Sequence, residues 1–184
     1  IATSESEAAA LKDYTEALDL HVRAGPIETL SFNERLVRLQ MHLDVAGAFY
    51  DAEDAESAIR QYQRLEKQAD KCMQLDEQSE FPDLSHASKT YLLQAISGRS
   101  LCLFLKGKAN AALQACEEAW DLAGIFLRMH PENQEIFELA AALTDDAIFI
   151  IESTNSPRPK KPWVTRAREL AEGRLDDAWP IENE

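Results

Sequence analysis

The stretch VAGAFYDAEDAESAIRQY, residues 45–62, predicts two helices joined by a short turn. Its small and apolar side chains recur at intervals of three and four residues, which place them on one face of a helix. Asp54, a residue type that favours helix N-caps, stands directly before the second apolar series. The stretch RSLCLFLKGKANAALQAC, residues 99–116, repeats this arrangement. The sequence therefore carries a similar helix–turn–helix pattern twice.

A shift of 54 residues aligns the two copies. The matched pairs are Ala46 with Ser100, Tyr50 with Phe104, Ala55 with Ala109, Ala58 with Ala112, Ile59 with Leu113, Tyr62 with Cys116 and Ala69 with Ala123. Small residues at equivalent places let two helix backbones approach while larger neighbours fill the grooves. A fainter match at a shift of 41, between Ala17-Leu18 and Ala58-Ile59, makes the first helix the second half of a preceding hairpin. We therefore expect an all-α fold of stacked antiparallel hairpins.

Hydrophobic spacing, together with the residues that start and stop helices, predicts about seven helices. They span approximately 4–23, 31–52, 55–75, 85–106, 109–129, 133–152 and 164–178. Ser31 with Glu34 forms a capping-box pattern, and the polar stretch 76–85 is predicted to be a loop that ends in a capping Ser85. Our domain assignment is a helical repeat domain over 1–152, a Pro-rich basic linker over 153–162, and a C-terminal helix and tail over 163–184. We expect the tail to pack on the same domain.

The charge balance limits the classes of partner. Nineteen basic against 33 acidic residues give a net charge of −14, which argues against direct nucleic-acid binding and favours a basic partner. Apolar stretches are too short to span a bilayer, so no membrane association is expected. An odd set of cysteines without CxxC spacing (Cys72, Cys102 and Cys116) indicates buried thiols in an intracellular, cytoplasmic protein. The basic residues of 158–168 leave nuclear import, an intramolecular tether or a solvated loop as alternatives.

The sequence shows no motif of known catalytic chemistry. None of the four histidines pairs with a partner at metal-ligand spacing, and glycine-rich phosphate-binding motifs are absent. Asp145 and Asp146 are adjacent on one helix, so their side chains point about 100° apart and cannot converge. We therefore predict no catalytic residue, metal or cofactor. An enzyme or small-molecule sensor, with His42 or Asp145 and Asp146 at its site, is the weaker alternative.

The two copies resemble tetratricopeptide repeats, helical hairpins with small and aromatic residues at fixed spacing. The matching residues are Val45-Ala46, Phe49-Tyr50, Asp54, Ala58-Ile59 and Tyr62 in the first copy, and Leu103-Phe104, Gly107, Ala112-Leu113 and Cys116 in the second. The proline that follows the second helix in this family would fall at Gly124, whereas Pro131 comes seven residues later. Seven residues are nearly two helical turns, so the copies resemble the long-repeat members of the family.

The resemblance implies a non-catalytic scaffold or adaptor that binds a peptide or helix of another protein on the faces of its first helices. The partner-binding positions are Gln40, Leu43, Gly47, Tyr50, Gln94, Ser97, Leu101 and Phe104, with Asp51 and Glu53 on an acidic rim. Members that clamp a C-terminal carboxylate use Lys and Asn where this chain has Leu43 and Gly47, so that activity is not expected. A mixed apolar groove for a segment containing Lys or Arg is expected instead. A structural segment of a larger α-solenoid is the other alternative.

Overall fold

A computed structural model describes residues 2–78, 85–154 and 156–179. This described part of the chain contains eight α-helices, one 3₁₀ helix and no β-strand, which confirms the predicted all-α class. The α-helices are α1 Ala2–Arg23, α2 Phe32–Asp51, α3 Ala55–Glu77, α4 Ser85–Leu105, α5 Ala109–Met129, α6 Gln134–Thr154, α7 Lys161–Ala171 and α8 Leu175–Ala178. A 3₁₀ helix, Ile27–Thr29, lies between α1 and α2 along the chain and was not predicted from the sequence. Its Ile27 side chain is buried.

Two helix N-termini form as the sequence predicts. The Ser31 hydroxyl oxygen accepts a hydrogen bond from the Glu34 N–H, and the Ser31 N–H donates to the Glu34 carboxylate at 2.8 Å, completing the capping box of α2. The Asp54 carboxylate accepts from the Ser57 N–H at 3.0 Å and caps α3. This contact with Ser57 lowers the pKa of Asp54, because it favours the charged carboxylate.

The turns after α2 and α4 have the same backbone geometry. Glu53 and Gly107, which are 54 residues apart, have φ angles of 59° and 69°. The N–H that follows each of them donates to a carbonyl five residues earlier, at 2.9 Å in both cases. Gly173, with a φ of 69°, repeats this arrangement after α7. The single helix predicted over 164–178 is therefore wrong, because Gly173 in the left-handed conformation ends α7 before α8 begins.

The chain divides into two compact units, residues 1–102 and 103–184, here called unit 1 and unit 2. In unit 1, α2 and α3 are joined by residues 52–54 and pack against each other, as antiparallel neighbours, and α1 packs on α2. The core side chains that are least exposed are Leu39, Val45, Ala46, Ala58, Leu65, Ala69, Cys72, Leu93, Ala95, Ile96 and Cys102. These positions follow the spacing of three and four residues, so the core of unit 1 lies along the apolar stripes of its helices.

A buried carboxylate connects three helices of unit 1. Asp76 lies in the last turn of α3 and is 1% exposed. It accepts from the Arg35 guanidinium of α2 at 2.5 Å and from the Ser88 hydroxyl of α4 at 2.9 Å. The predicted loop over 76–85 is therefore wrong at Asp76 and Glu77, which belong to α3, and at Ser85, where α4 begins. The two partners of Asp76 stabilise the last turn of α3. Residues 79–84 of that loop lie outside the described residues.

Unit 2 is built on a tryptophan cluster. The indole rings of Trp120 and Trp179 stack at 4.2 Å between centroids, and Trp163 meets Trp120 edge to face at 6.1 Å. The Trp179 indole N–H donates to the Trp120 carbonyl at 2.9 Å. The guanidinium of Arg166 lies 4.5 Å from the Trp163 ring centroid and 5.3 Å from that of Trp120. These contacts join α5, α7 and the end of α8, while α6 packs against both α5 and α7.

Two helical glycines lie directly against an aromatic ring, whereas a third has open space beside it. A Cβ on Gly124 would overlap the five-membered ring of the Trp179 indole, and one on Gly98 would overlap the ring of Tyr62. A Cβ on Gly47 would meet no atom within 4 Å. The glycines at 98 and 124 are therefore required by packing within units 1 and 2 respectively, whereas Gly47 has free space around it.

We predict opposite effects of alanine at Gly124 and Gly47. Gly124→Ala displaces Trp179 from its stack on Trp120 and lowers the free energy of unfolding by about 1–3 kcal/mol. Gly47→Ala, the matched control, raises it by about 1 kcal/mol, because alanine is the better helix former and nothing is displaced. Urea denaturation followed by circular dichroism measures both. Equal stabilisation by the two substitutions would contradict the packing described for Trp179.

A second prediction concerns Asp76. Asp76→Ala leaves the Arg35 guanidinium and the Ser88 hydroxyl without this buried partner, so we expect the free energy of unfolding to fall by about 3–5 kcal/mol. The control is Asp70→Ala on the same helix, where the carboxylate is exposed and the expected change is within about 0.5 kcal/mol. The same urea experiment compares the two variants. Similar small effects would show that Asp76 does not connect the helices.

Candidate functional site

The predicted partner-binding residues lie on α2, on α4 and in the turn after α2. Gln40, Leu43, Gly47, Tyr50 and Asp51 belong to α2, Glu53 to the turn, and Gln94, Ser97, Leu101 and Phe104 to α4. All of them except Phe104 are in unit 1. We call the unit 1 surface formed by α2 and α4 the α2/α4 face.

One side-chain contact shows that α2 and α4 are neighbours in unit 1. The Tyr91 hydroxyl of α4 donates to the Gln40 side-chain oxygen of α2 at 2.8 Å. The Gln40 amide in turn donates to the Asp44 carboxylate at 2.7 Å. Gln94 follows Tyr91 by three residues and Ser97 follows Gln94 by three, so each is next to the one a turn before it on α4. The structure therefore brings Gln40 next to the part of α4 that carries the predicted residues.

Gly47 lies among the predicted residues of α2 and has open space beside it. It is partly exposed, and a Cβ added there would meet no atom within 4 Å. Leu43 and Tyr50, one turn before and after it on α2, are half-buried. A partly covered backbone between two apolar side chains is a place where a partner's side chain can make contact.

The acidic rim lies at the end of α2. Asp51, Glu53, Asp54 and Glu56 are all exposed. Arg60 is the basic neighbour of this group and pairs with Glu56 at 3.0 Å. The turn therefore presents several carboxylates to solvent beside Tyr50.

Phe104 has a partner within unit 2. Its ring meets Phe149 of α6 edge to face, with 5.4 Å between centroids and 71° between planes. Phe149 is itself 54% exposed. The two rings thus form a half-open aromatic pair on unit 2, and the sharing of one surface by Phe104 and the α2/α4 face stays a prediction.

Two polar residues of α2 are buried. Arg38 was not among the predicted candidates, whereas His42 was named for the weaker alternative of an enzyme or sensor. Arg38 is 2% exposed and donates to the His21 ring nitrogen Nδ1 at 3.2 Å, to the His21 carbonyl at 2.5 Å and to the Gly25 carbonyl at 2.8 Å. Burial lowers the pKa of Arg38. The apolar spacing of α2 gives no sign that a guanidinium lies on its buried side, because this partner set depends on α1 and the bend at Gly25.

His42 is the second of these residues and is 4% exposed. Its Nδ1 atom has no hydrogen-bond partner in the described residues, and neither has the buried Oε1 atom of Gln61 beside it. Burial, together with the cations Arg64 and Arg38, lowers the pKa of His42 to about 4, although Gln61 favours the charged ring. His42 is therefore a neutral imidazole near pH 7.

The basic residues near α7 contact acidic and aromatic groups of unit 2. Arg158 pairs with Glu117 of α5 at 3.0 Å, and Lys160 pairs with Glu152 of α6. Pro162 lies in the first turn of α7, where it replaces no intrahelical donor. The irregular segment is therefore shorter than the predicted 153–162, since α6 continues to Thr154 and α7 begins at Lys161.

The remaining candidates for chemistry do not converge. Asp145 is exposed and Asp146 is half-buried, so the two carboxylates face different surroundings, as predicted. The part of the chain that the structure describes holds no group of three or more His, Cys, Asp or Glu side chains able to bind a metal ion. All three cysteines are buried thiols, and burial raises the pKa of Cys72 to about 12 and that of Cys102 to about 11.

Comparison with protein-family models, curated proteins and solved structures gave no significant match for this chain. None of the helices within the described ranges is long and apolar enough to cross a bilayer.

The pKa of His42 predicts a pH dependence of stability. Its pKa in the folded protein lies below the unfolded value of 6.5, so the stabilisation is complete above pH 6.5 and is lost as the pH falls towards 4. We expect this residue to account for about 3 kcal/mol of unfolding free energy lost between pH 7 and pH 4.

Urea titrations of the wild type and of His42→Gln at several pH values measure this contribution as the change in their difference. The control is His130→Gln, which changes a histidine at the C-cap of α5. A difference between wild type and His42→Gln that stays constant with pH would contradict a buried neutral imidazole.

Proposed function

We propose that this chain is a non-catalytic scaffold, similar to tetratricopeptide repeats, that binds a peptide or amphipathic helix of a partner protein on the α2/α4 face. The observation that carries the proposal is the hydrogen bond between Tyr91 and Gln40, which makes neighbours of the helices on which the predicted residues lie. The equal turns at Glu53 and Gly107 support the repeat assignment.

The α2/α4 face is a rigid surface for recognition. Asp76 fixes α4 to α2 and α3 through Ser88 and Arg35, and Glu66 of α3 pairs with Arg99 of α4 at 2.5 Å. The Arg99 and Glu66 side chains are 17% and 20% exposed, so water screens this pair only in part. A face whose backbone positions are fixed before binding loses little conformational entropy when the partner binds.

The chemistry of the face selects the type of partner. Leu43 and Tyr50 offer apolar contacts on either side of Gly47, and Gln40 and Gln94 offer side-chain amides. The exposed Asp51 and Glu53 add negative charge at one end. An apolar anchor followed by Lys or Arg is the complementary segment, since the anchor packs on Leu43 and Tyr50 at Gly47 and the cation meets the rim.

The test uses synthetic amphipathic peptides with an apolar anchor and either basic or acidic flanks, with binding measured by fluorescence anisotropy. We expect the basic peptides to bind and the acidic ones to bind at least tenfold more weakly. Gly47→Leu puts a bulky side chain where the anchor would lie, and its Cβ would meet no atom within 4 Å, so it should weaken binding about tenfold or more. The control Gln63→Leu adds the same side chain on the exposed side of α3 and should leave binding unchanged.

Charge reversal at the rim is the second arm. Asp51→Lys with Glu53→Lys should weaken the basic peptides and reduce the salt dependence of their affinity, because Coulomb attraction between exposed groups is screened over about 10 Å at 0.1 M salt. Equal affinity of the wild type and Gly47→Leu for the basic peptides, or the absence of any binding peptide, would contradict the proposal.

A further inference from the structure

A cavity of about 380 Å³ opens in unit 1 among α1, α2 and α3. Its lining combines charged, polar and apolar side chains from the three helices. The lining residues are Leu18, Asp19 and Val22 of α1, His42 of α2, and Arg64, Lys67 and Gln68 of α3. A volume of this order lies in the range of pockets that hold small molecules.

The inner part of this cavity carries polar atoms without partners. Only 4% of the His42 surface is exposed, and its Nδ1 atom makes no hydrogen bond to the described residues. The Oε1 atom of Gln68 is also buried and unpartnered among them. Both residues line the same cavity, so a hydrogen-bonding group of a ligand has two partners within reach there.

The outer part carries charges that are also unpaired. Arg64 and Lys67 are exposed, and neither forms an ion pair with any residue in the described ranges. The single carboxylate of the lining is that of the exposed Asp19. Two free cations on the edge of one cavity are notable in a chain with a net charge of −14. They form a local site for an anion, because a guanidinium and an ammonium both donate to carboxylate oxygens.

We propose that this cavity binds a small organic acid that carries a carboxylate, a hydroxyl or amino group and a short apolar chain. The carboxylate meets Arg64 and Lys67, and the donor group satisfies Gln68 Oε1 or His42 Nδ1. The apolar chain packs against Leu18 and Val22. The carboxylate of Asp19 favours a ligand with a charged amino group over one with a hydroxyl group in its place.

This ligand site does not depend on the α2/α4 face, since α1 and α3 supply most of it. The structure therefore assigns unit 1 a second binding activity in addition to the proposed scaffold function. Failure of either activity in its own assay leaves the other proposal standing.

The experiment compares three acids of equal carbon skeleton: L-leucine, 2-hydroxy-4-methylpentanoate and 4-methylpentanoate. Binding is followed by the NMR signals of the His42 ring, assigned with His42→Gln, and by thermal unfolding. We expect leucine or its hydroxy analogue to shift these signals and raise the melting temperature. The third acid, which lacks the donor group, should bind at least tenfold more weakly. No response to either donor-carrying acid at about 10 mM would overturn the proposal, since so weak an affinity is not specific binding.

Variants at the edge of the cavity locate the site. Arg64→Gln with Lys67→Gln removes both cations at exposed positions and should weaken binding about tenfold or more. Arg60→Gln, on the same helix and outside the cavity, is the matched control and should bind as the wild type does. Unchanged binding in the double variant, or equal loss in the control, would overturn the proposal. Binding of a peptide through its C-terminal carboxylate, with no binding of the free acids, would also overturn it in favour of a protein ligand.

Discussion

The carboxylate of Asp76 is the constraint on which unit 1 depends. It is almost fully buried and lies between a guanidinium of α2 and a hydroxyl of α4. A buried charge is costly unless it is paired and hydrogen-bonded, so Arg35 and Ser88 stabilise this arrangement of the helices when they meet it together. The apolar stripes bring α2, α3 and α4 together, and this group links them at one position along their axes. With the helices linked in this way, Gln40 and Tyr91 are within hydrogen-bonding distance of each other on the α2/α4 face.

Close approach through small residues has a comparable role. Gly98 receives the ring of Tyr62 in unit 1, and Gly124 receives the indole of Trp179 in unit 2. In both cases a bulky aromatic ring occupies the volume that any side chain would need. Neither glycine belongs to the matched pairs of the two sequence copies, so no sequence pattern indicated that an aromatic ring would enter at these positions. That information depends on the tertiary fold, because Trp179 lies 55 residues beyond Gly124.

Local signals in the sequence were sufficient for most of the helices. The capping box at Ser31, the N-cap at Asp54 and the apolar spacing of α2 to α6 involve only residues a few positions apart. One failure was local, because Gly173 ends the helix that was predicted over 164–178. Other features depend on distant partners: Asp76 is bound by Arg35 and Ser88, and Arg38 is buried against acceptors near α1. For the candidate site, the sequence placed its residues on two helices, and the cavity at His42 became visible only when α1, α2 and α3 were assembled. Its lining comes from residues 18–68, which share no single periodicity.

The tryptophan cluster of unit 2 has a consequence for ligand selectivity. Aromatic boxes of this kind often receive quaternary or methylated ammonium groups, which are attracted to the faces of the rings. Here the guanidinium of Arg166 already lies within 4.5 Å of one ring centroid and 5.3 Å of another. An incoming cation would have to displace a charge that belongs to the chain itself, and that competitor does not diffuse away because it is tethered. The aromatic cluster is therefore already occupied by a cation of the chain itself, the guanidinium of Arg166 on α7.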